Sequence, residues 1–323
     1  MANPVELVVR PLDRWQQRHR FPGFVFGVIK KYGDDRGGTL AALVTFYGFL
    51  ALFPLLLVAF TVLGFVLRGH ADWQATIETS ALSKFPVIGP SLRPGELHGN
   101  TFALVVGLLG LLWGALGVTY AIQFAVNEAW DVPNKSRPPF FVRIARGLAL
   151  FGVLGIAVLA TTALTVLGSI VGNSWLAGAL GLLGALALNV GLFLGTFRLL
   201  SPRDLSWRDL LPGAVVAGAS WQLLQLFGQW LVLRNLRHAQ QLYGQFALVL
   251  GLIFFLSIAT QMIMYGVEVN VVRHKELWPR SIVQPPLLPA DRKALALRAQ
   301  QEARRPEQLV DVSWRPAADG EGE

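Results

Sequence analysis

Few residues of this sequence are placed to do chemistry, and the most unusual of them is Glu268. It lies in the segment Tyr265-Gly266-Val267-Glu268-Val269-Asn270, where a run of 29 uncharged residues ends. An ionisable side chain at that depth of an apolar helix must find a partner or reach a polar surface. Glu268 and Asn270 are therefore interpreted either as a site at the mouth of a cavity or as a structural anchor.

Further polar residues that could line such a cavity lie on other apolar runs. Gln222, Gln225 and Gln229 fall within about 60° of one another on a helix, so they should face a neighbouring helix or a wet cavity. Interhelical amide hydrogen bonds and a polar substrate path both remain open as explanations. The other candidates for this path are Asn189, Gln261, Asn127 and Glu128.

Two features of the apolar runs concern how helices bend and pack. Pro54 removes a backbone hydrogen bond inside the first run, so it is either a candidate hinge or a fixed kink. The spacings Gly110-x-x-x-Gly114 and Gly191-x-x-x-Gly195 predict that two helices are closely approached by their neighbours.

The sequence lacks the patterns of the common enzyme sites. It contains no phosphate-binding Gly-x-x-x-x-Gly-Lys-Ser/Thr loop, no His-Glu-x-x-His and no Gly-x-Ser-x-Gly. Cysteine is absent, and the five histidines are scattered without metal-ligand spacing. Nothing resembles the carboxylates that a nuclease gathers around a divalent ion. We therefore expect no catalytic residue, no metal, no cofactor, no ribonuclease activity and no nucleic-acid partner.

The composition is that of a membrane protein. Hydrophobic residues make up 53% of the 323 residues, and only 15% are charged, whereas soluble domains carry about 25% charged residues. An uncharged run of 51 residues would measure about 76 Å as one helix and must fold back near Gly172. The sequence predicts an all-α polytopic protein with six transmembrane helices, at about 39–67, 101–127, 147–169, 175–197, 210–233 and 243–270.

The basic residues predict the orientation of these spans. Of the 28 lysines and arginines, 23 lie on the side of the two termini and five on the other side. The excess places both termini in the cytoplasm and favours contact with anionic lipid headgroups. At that inner face we expect a polar cluster that joins the second and sixth spans, with the members Asn127, Glu128, Lys135, Arg137 and Glu268.

The chain divides into three parts. Residues 1–36 form a cytoplasmic segment, 37–273 the six-helix domain, and 274–323 a cytoplasmic tail that is polar and predicted to be mostly disordered. Residues 21–31 combine aromatic and aliphatic residues with two lysines. This pattern suits an interfacial helix on the membrane surface, and equally a helix packed under the bundle.

Several motifs resemble those of a known family. They are Leu40-Ala41-Ala42-Leu43-Val44-Thr45-Phe46-Tyr47 running on through Ala51-Leu52-Phe53-Pro54-Leu55-Leu56, Trp113-Gly114-Ala115, Asn127-Glu128-Ala129-Trp130-Asp131-Val132, Leu211-Pro212-Gly213-Ala214, Tyr243-Gly244 and the segment around Glu268. Over about residues 20 to 275 the chain resembles the YihY/virulence factor BrkB family of bacterial inner-membrane proteins. The resemblance implies six membrane helices and a role in envelope integrity, with lipid or envelope-precursor movement among the proposals.

We therefore expect a multi-pass protein of the bacterial plasma (inner) membrane whose partners are membrane lipids, anionic ones above all. The leading functional hypothesis is transporter-like handling of an anionic lipid or envelope precursor along the polar residues named above. The alternative is a non-transporting scaffold that organises envelope machinery through its tail and outer loop.

Overall fold

The structure is a computed structural model that describes residues 4–66, 101–171, 175–202, 204–243 and 246–314. Every regular element in these ranges is helical, which confirms the all-α prediction. The helices are α1 (Pro4–Arg18), α2 (Arg20–Asp34), α3 (Gly37–Val66), α4 (Thr101–Ala129), α5 (Phe140–Val171), α6 (Trp175–Leu200), α7 (Trp207–Tyr243), α8 (Phe246–His274) and α9 (Pro289–Gln301), with a 3-10 turn at Asn134–Ser136.

Five of these helices are long and apolar enough to cross a membrane. The spanning stretches are Gly37–Ala59, Leu104–Ala129, Gly178–Leu200, Trp207–Phe227 and Val249–His274. Helix α5 is the remaining long helix, with 32 residues and no charge beyond Arg146. A sixth span within α5 remains a prediction.

One end of the bundle collects the starts of α3, α5 and α7 and the ends of α4, α6 and α8. The ammonium of Lys31, just before α3, contacts the carbonyl oxygen of Ala129 at the end of α4. Gln123 of α4 donates to the carbonyl of Arg143 at the start of α5. Because the described residues of the predicted inner loops lie at this end, we call it the basic end. An even number of membrane crossings remains a prediction.

Helices α3 and α4 pack antiparallel through glycines on α4. A side chain at Gly114 would lie 2.9 Å from the Cα of Ala51, and one at Gly110 would lie 3.0 Å from the ring of Pro54. The Gly110-x-x-x-Gly114 prediction is therefore confirmed. Helix α3 continues through Pro54, whose ring is packed against α4, so a hinge there remains a prediction.

The second glycine spacing does not mark a helix contact. No atom of the described chain lies within 4 Å of a side chain built at Gly191 or Gly195, so the prediction for this pair is wrong. The close approach of α6 and α7 occurs one residue away, where Gly218 faces the backbone of Val190 at 2.9 Å. A small-residue spacing indicates close contact only where a partner helix meets that face.

The buried core lies at the basic end rather than in the middle of the spans. Its members come from the ends of α4, α6 and α8 and the starts of α3 and α7, together with Val28 of α2 and Ala294 of α9. Leucines and phenylalanines farther along the spans are exposed on the bundle surface, as expected for side chains that face lipid.

Helix α2 combines both interpretations of residues 21–31. Gly23 and Gly27 face Pro279 and Trp278 of the tail, and Lys31 points into the core. Phe21, Val25 and Ile29 form an exposed apolar stripe on the other side. The helix is thus packed under the bundle through one face, and the stripe is available for an interfacial position.

The tail differs from the disordered segment that its composition predicts. The structure describes it as far as Trp314, with α9 inside it. Arg280 and Asp291 are buried, and the backbone N–H of Lys135 donates to the carbonyl of Ala303 at 3.0 Å. The polar groups of the tail are used in hydrogen bonds within the chain, which composition alone does not reveal.

Candidate functional site

Glu268 is fully buried near the end of α8, with 0% of its surface exposed. Neither carboxylate oxygen has a hydrogen-bond partner of ordinary geometry within the described part of the chain. An ionised carboxylate in that position would be costly, because burial removes its hydration without supplying donors. Glu268 therefore depends on the charged groups around it.

The charged groups around Glu268 lie on α2 and just after the ends of α2, α4 and α8. The ammonium of Lys31 donates to Asp35, to Asp131 Oδ1 at 3.2 Å and to the carbonyl of Ala129 at 3.2 Å. Lys275, just after α8, donates to Asp131 Oδ2 at 3.0 Å. We call these residues the Glu268 cluster: Glu268, Lys31, Asp35, Asp131 and Lys275.

Two helix ends place the members of this cluster. Asp131 has φ 49° and follows α4 in a motif in which the Val132 N–H donates to the Asn127 carbonyl at 2.9 Å. This is a Schellman motif, in which a left-handed residue closes the helix. Glu276, with φ 52°, closes α8 in the same way. These endings turn Asp131 and Lys275 towards each other beneath the bundle.

Aromatic stacking fixes α2 against α8 next to the cluster. The rings of Tyr32 and Tyr265 are stacked with centroids 4.2 Å apart and an interplanar angle of 15°. Such pairs add about 1 kcal/mol beyond the area they bury. Burial also raises the pKa of the Tyr32 hydroxyl, and the nearby Tyr265 and Glu268 raise it further.

The surroundings raise the pKa values of both Lys31 and Asp35. Burial alone would lower the pKa of Lys31, but the carboxylates of Glu268, Asp35 and Asp131 outweigh it and raise the pKa above its ordinary value. Burial raises the pKa of Asp35 in spite of the neighbouring Lys31, and the charge of Asp131 adds to that rise. Burial lowers the pKa of Lys275.

Asn270 holds the crossing of α7 and α8, one turn from the cluster. Its Oδ1 accepts a hydrogen bond from the backbone N–H of Gly213 at 2.7 Å. A side chain on Gly213 would come within 2.0 Å of the carbonyl oxygen of Gly266. Asn270, a predicted path residue, thus serves here as a structural partner of the glycine crossing.

The other predicted path residues are spread over the bundle. Asn189 of α6 donates to Gln222 of α7 at 2.7 Å, which is the interhelical amide bond considered above. Gln261 donates to Ser257 of its own helix at 3.1 Å. Gln225 is exposed, and the side chain of Gln229 lies outside the described part of the chain. The three glutamines therefore do not form one described polar face.

Two members of the predicted inner cluster, Glu128 and Arg137, contact each other, but no contact of Glu128 with Glu268 is seen in the described residues. Glu128 binds Arg137 at 2.6 Å and receives a hydrogen bond from Gln301 of α9 at 2.8 Å. Lys135 donates to the carbonyl of Gln308 at 3.2 Å. The charged neighbours of Glu268 are instead Lys31, Asp35 and Asp131, none of which was predicted as a site residue from the sequence.

Two cavities open at the basic end beside α5. A cavity of about 670 Å³ lies between the start of α5 and the end of α6, lined by Val142, Ala145, Arg146, Arg198, Leu199 and Ser201. A second, of about 390 Å³, shares Val142 and Arg146 and is lined also by the predicted path residue Asn127. We call the two together the arginine groove. Arg198 also lies over the ring of Trp207, 5.9 Å from its centroid.

A second buried charge network fastens the tail to α2. Asp291 Oδ1 accepts from Arg280 Nε at 2.6 Å and from Lys30 at 2.9 Å, and its Oδ2 accepts from the Ser281 hydroxyl at 2.8 Å. Arg280 also binds Asp34 at 2.7 Å. Although burial opposes it, these donors lower the pKa of Asp291 to about 2. We call this network the Asp291 clasp: Asp291, Arg280, Lys30, Asp34 and Ser281.

Comparison with known proteins identifies relatives that are also membrane proteins. The chain is 25% identical to the inner membrane protein YhjD of Escherichia coli (strain K12) over 159 residues, which cover 46% of this chain and 47% of that protein. It is 23% identical over 278 residues to a UPF0761 membrane protein of Stenotrophomonas maltophilia (strain R551-3), covering 83% of this chain and 64% of that protein. The chain thus spans between about half and just under two thirds of the length of these relatives. No solved structure matches it.

The family model described as virulence factor BrkB matches residues 28–285. This match includes the spans, the Glu268 cluster and the arginine groove. The predicted location, a multi-pass protein of the inner membrane, is confirmed by these relatives together with the apolar helices. Because the family model matches most of its length, the chain belongs to the virulence factor BrkB family of membrane proteins.

Proposed function

We propose that this protein is transporter-like and handles an anionic lipid or an anionic envelope precursor at the inner face of the membrane. The observation that carries the proposal is the arginine groove, where Arg146 and Arg198 line a cavity of about 670 Å³ at the basic end. Guanidinium groups suit phosphate because they present several donors in a planar fork.

The surroundings of the groove suit an amphipathic ligand. Val142, Ala145 and Leu199 offer apolar surface beside the two arginines. Phe140, Phe141 and Trp207 are exposed at the same end of the bundle, where aromatic side chains commonly mark the membrane interface. A headgroup phosphate could therefore be held by charge while its acyl chains stay in the lipid phase.

The test is lipid retention and lipid translocation by the purified full chain. Native mass spectrometry would compare the wild type with an Arg146→Gln/Arg198→Gln variant and with an Arg304→Gln/Arg305→Gln control in the exposed tail. We expect the wild type and the control to retain anionic phospholipid, and the groove variant to lose most of it. Added inorganic phosphate should not displace the lipid if the acyl chains contribute to binding.

Translocation is measured in proteoliposomes that contain a fluorescent anionic phospholipid. We expect the wild type to expose inner-leaflet lipid to an external quencher faster than empty vesicles, and the groove variant to be slower by about tenfold, the effect of losing about 1.4 kcal/mol. Equal lipid retention and equal translocation in the groove variant would contradict the proposal.

The scaffold alternative needs a different test from deletion of the tail. Arg280 and Asp291 are buried in the Asp291 clasp, so removal of residues 279–323 would disturb folding whichever function is correct. Substitutions on the exposed surface of α9, such as Leu295→Ser, leave the clasp in place. A scaffold that binds partners through this surface should lose function in that variant, whereas a transporter should keep it.

A further inference from the structure

Among the carboxyl groups of the Glu268 cluster, that of Glu268 itself has no ion-pair partner within the described residues. Asp35 and Asp131 are paired with Lys31 and Lys275, and Asp35 also contacts the guanidinium of Arg298 at 3.3 Å. The side chains of Lys31, Asp35 and Asp131 are each at most 4% exposed, and Glu268 is fully buried. An ionised carboxyl group in a fully buried position without a cation or a donor is costly.

The two ammonium groups are already committed to the aspartates. Lys31 binds Asp35 and Asp131, and Lys275 binds Asp131. Glu268 accepts no hydrogen bond of ordinary geometry within the described residues. Glu268 therefore lacks both a contacting cation and a hydrogen-bond donor within the described residues. A side-chain hydrogen bond with Glu268 is among the influences that set the pKa of Asp35.

We infer that the Glu268–Asp35 carboxyl pair is a proton-binding site, in which one proton is held between the two side chains. With that proton bound, Glu268 gains a hydrogen-bond partner, and one of the two buried carboxyl groups is neutral. Loss of the proton leaves a buried carboxylate without a partner at the junction of α2, α4 and α8.

A proton fits this site better than a metal cation does. The ammonium of Lys31 already lies between Asp35 and Asp131, 3.2 Å from Asp131 Oδ1. Within the described ranges, no group of three or more histidine, cysteine or acidic residues is arranged to hold a metal ion. Burial, the first cause of the raised pKa of Asp35, acts in the direction that favours proton binding.

All the charged and titratable groups that the structure shows around the pair bear on its protonation. Helix α2 provides Lys31 and Tyr32, the end of α4 provides Asp131, and α8 with its following residue provides Tyr265 and Lys275. Arg298 of α9 donates to Asp35 Oδ1 at 3.3 Å from a side chain that is 36% exposed. This half-exposed guanidinium can compensate the charge when the proton leaves.

Proton binding at this site would connect the packing of three helices to the pH of the medium. In combination with the proposed function, on which this step rests, it would supply a coupling ion for movement of the anionic ligand. The arginine groove shares none of its lining residues with the Glu268 cluster. The two sites can therefore be tested separately.

The test is infrared difference spectroscopy of the full chain in nanodiscs, with pH as the variable and no added ligand. A protonated carboxyl group gives a C=O stretching band that shifts in D₂O. We expect such a band at neutral pH in the wild type, its loss in Glu268→Gln, and its persistence in the matched control Glu302→Gln, whose side chain is 72% exposed. Replacement of NaCl by choline chloride should leave the band unchanged.

A second variant guards against a Glu268→Gln protein that fails to fold. In Asp35→Asn the amide group can donate to the Glu268 carboxylate in place of the shared proton, so the band should again be lost. A band that persists unchanged in both folded variants, or that disappears in the wild type when Na⁺ is added, would overturn the inference. Arg146→Gln should keep the band, so failure of the proposed function would not remove it.

Discussion

The Glu268 cluster and the Asp291 clasp are two buried charge networks at the same end of one bundle. They differ in the hydrogen bonds that their central carboxyl groups receive. Asp291 receives hydrogen bonds on both oxygens from two cations, a hydroxyl group and backbone N–H groups. Glu268 is buried to the same extent and receives none of ordinary geometry in the described chain. Donors, rather than burial, decide whether a buried carboxylate is an anchor or a group that binds a proton.

The two networks should therefore respond to pH in opposite directions. The pKa of Asp291 is lowered to about 2 by its donors, so its contribution to stability is present above its unfolded value and is lost as the pH falls towards 2. The pKa of Asp35 is raised, first by burial. Its contribution is complete below its unfolded pKa and is lost as the pH rises through the folded value.

The largest effect is expected from breaking the clasp. Asp291→Ala removes the partner of Arg280 and Lys30, and loss of one member of a buried ion pair costs about 3–5 kcal/mol. The free energy of unfolding in nanodiscs should fall by that amount. The control Asp311→Asn, at an exposed position, should change it by less than about 0.5 kcal/mol. An equal result for the two variants would mean that the clasp does not anchor the tail.

A smaller loss is expected from the helix crossing that positions Glu268. In Gly213→Ala the new methyl group would meet the carbonyl oxygen of Gly266, and overpacking of this kind costs about 1–3 kcal/mol. Gly191→Ala is the matched control because open space surrounds that position. Thermal unfolding should distinguish the two variants, with a lower midpoint for Gly213→Ala alone. Similar midpoints would show that α7 and α8 can separate without cost.

Glu268→Gln should cost much less than Asp291→Ala, although both residues are fully buried. The amide is neutral and keeps a donor for Asp35, so we expect a change within about 1 kcal/mol at neutral pH. Chemical unfolding in nanodiscs measures it. A loss as large as that of Asp291→Ala would show that Glu268 is an ionised anchor and that the two networks are alike.

The smallest effect is expected at the rim of the Glu268 cluster. Arg298 is 36% exposed and contacts Asp35 at 3.3 Å, so Arg298→Gln should reduce stability by no more than about 1 kcal/mol. The stability lost in this variant should be greater at alkaline than at neutral pH, because the guanidinium then compensates the charge of the deprotonated Glu268–Asp35 pair. Hydrogen exchange of α9 at the two pH values measures this difference. If the variant loses the same hydrogen-exchange protection of α9 at both pH values, Arg298 does not respond to the protonation of the Glu268 cluster.

Much of the fold could be predicted because uncharged runs are long and the cost of a charge in lipid is high. The boundaries of α3, α4 and α6 lie within a few residues of the predicted spans, and the fold-back before Trp175 occurs as expected. The tail was predicted as disordered because composition reports the number of polar residues and not their partners. Arg280 and Asp291 could be recognised as structural only once α2 was in place.

The candidate site could be predicted only in part. Glu268 was recognisable as an ionisable residue in an apolar segment. Its partners were not, because Lys31 and Asp35 precede the first span like ordinary interfacial charges, and Asp131 follows α4 in a short loop. The i, i+4 spacing of Lys31 and Asp35 was the one local signal. Their meeting with Glu268 depends on contacts between residues more than 130 positions apart.

The contrast between the two networks is tested most directly by the pH profile of unfolding for the wild type, Glu268→Gln and Asp291→Asn in nanodiscs. We expect the wild type to lose stability at both alkaline and acidic pH. Glu268→Gln should lose most of the alkaline decline and keep the acidic one, whereas Asp291→Asn should lose the acidic decline and keep the alkaline one. An unchanged alkaline decline in Glu268→Gln would contradict proton binding by the Glu268–Asp35 pair.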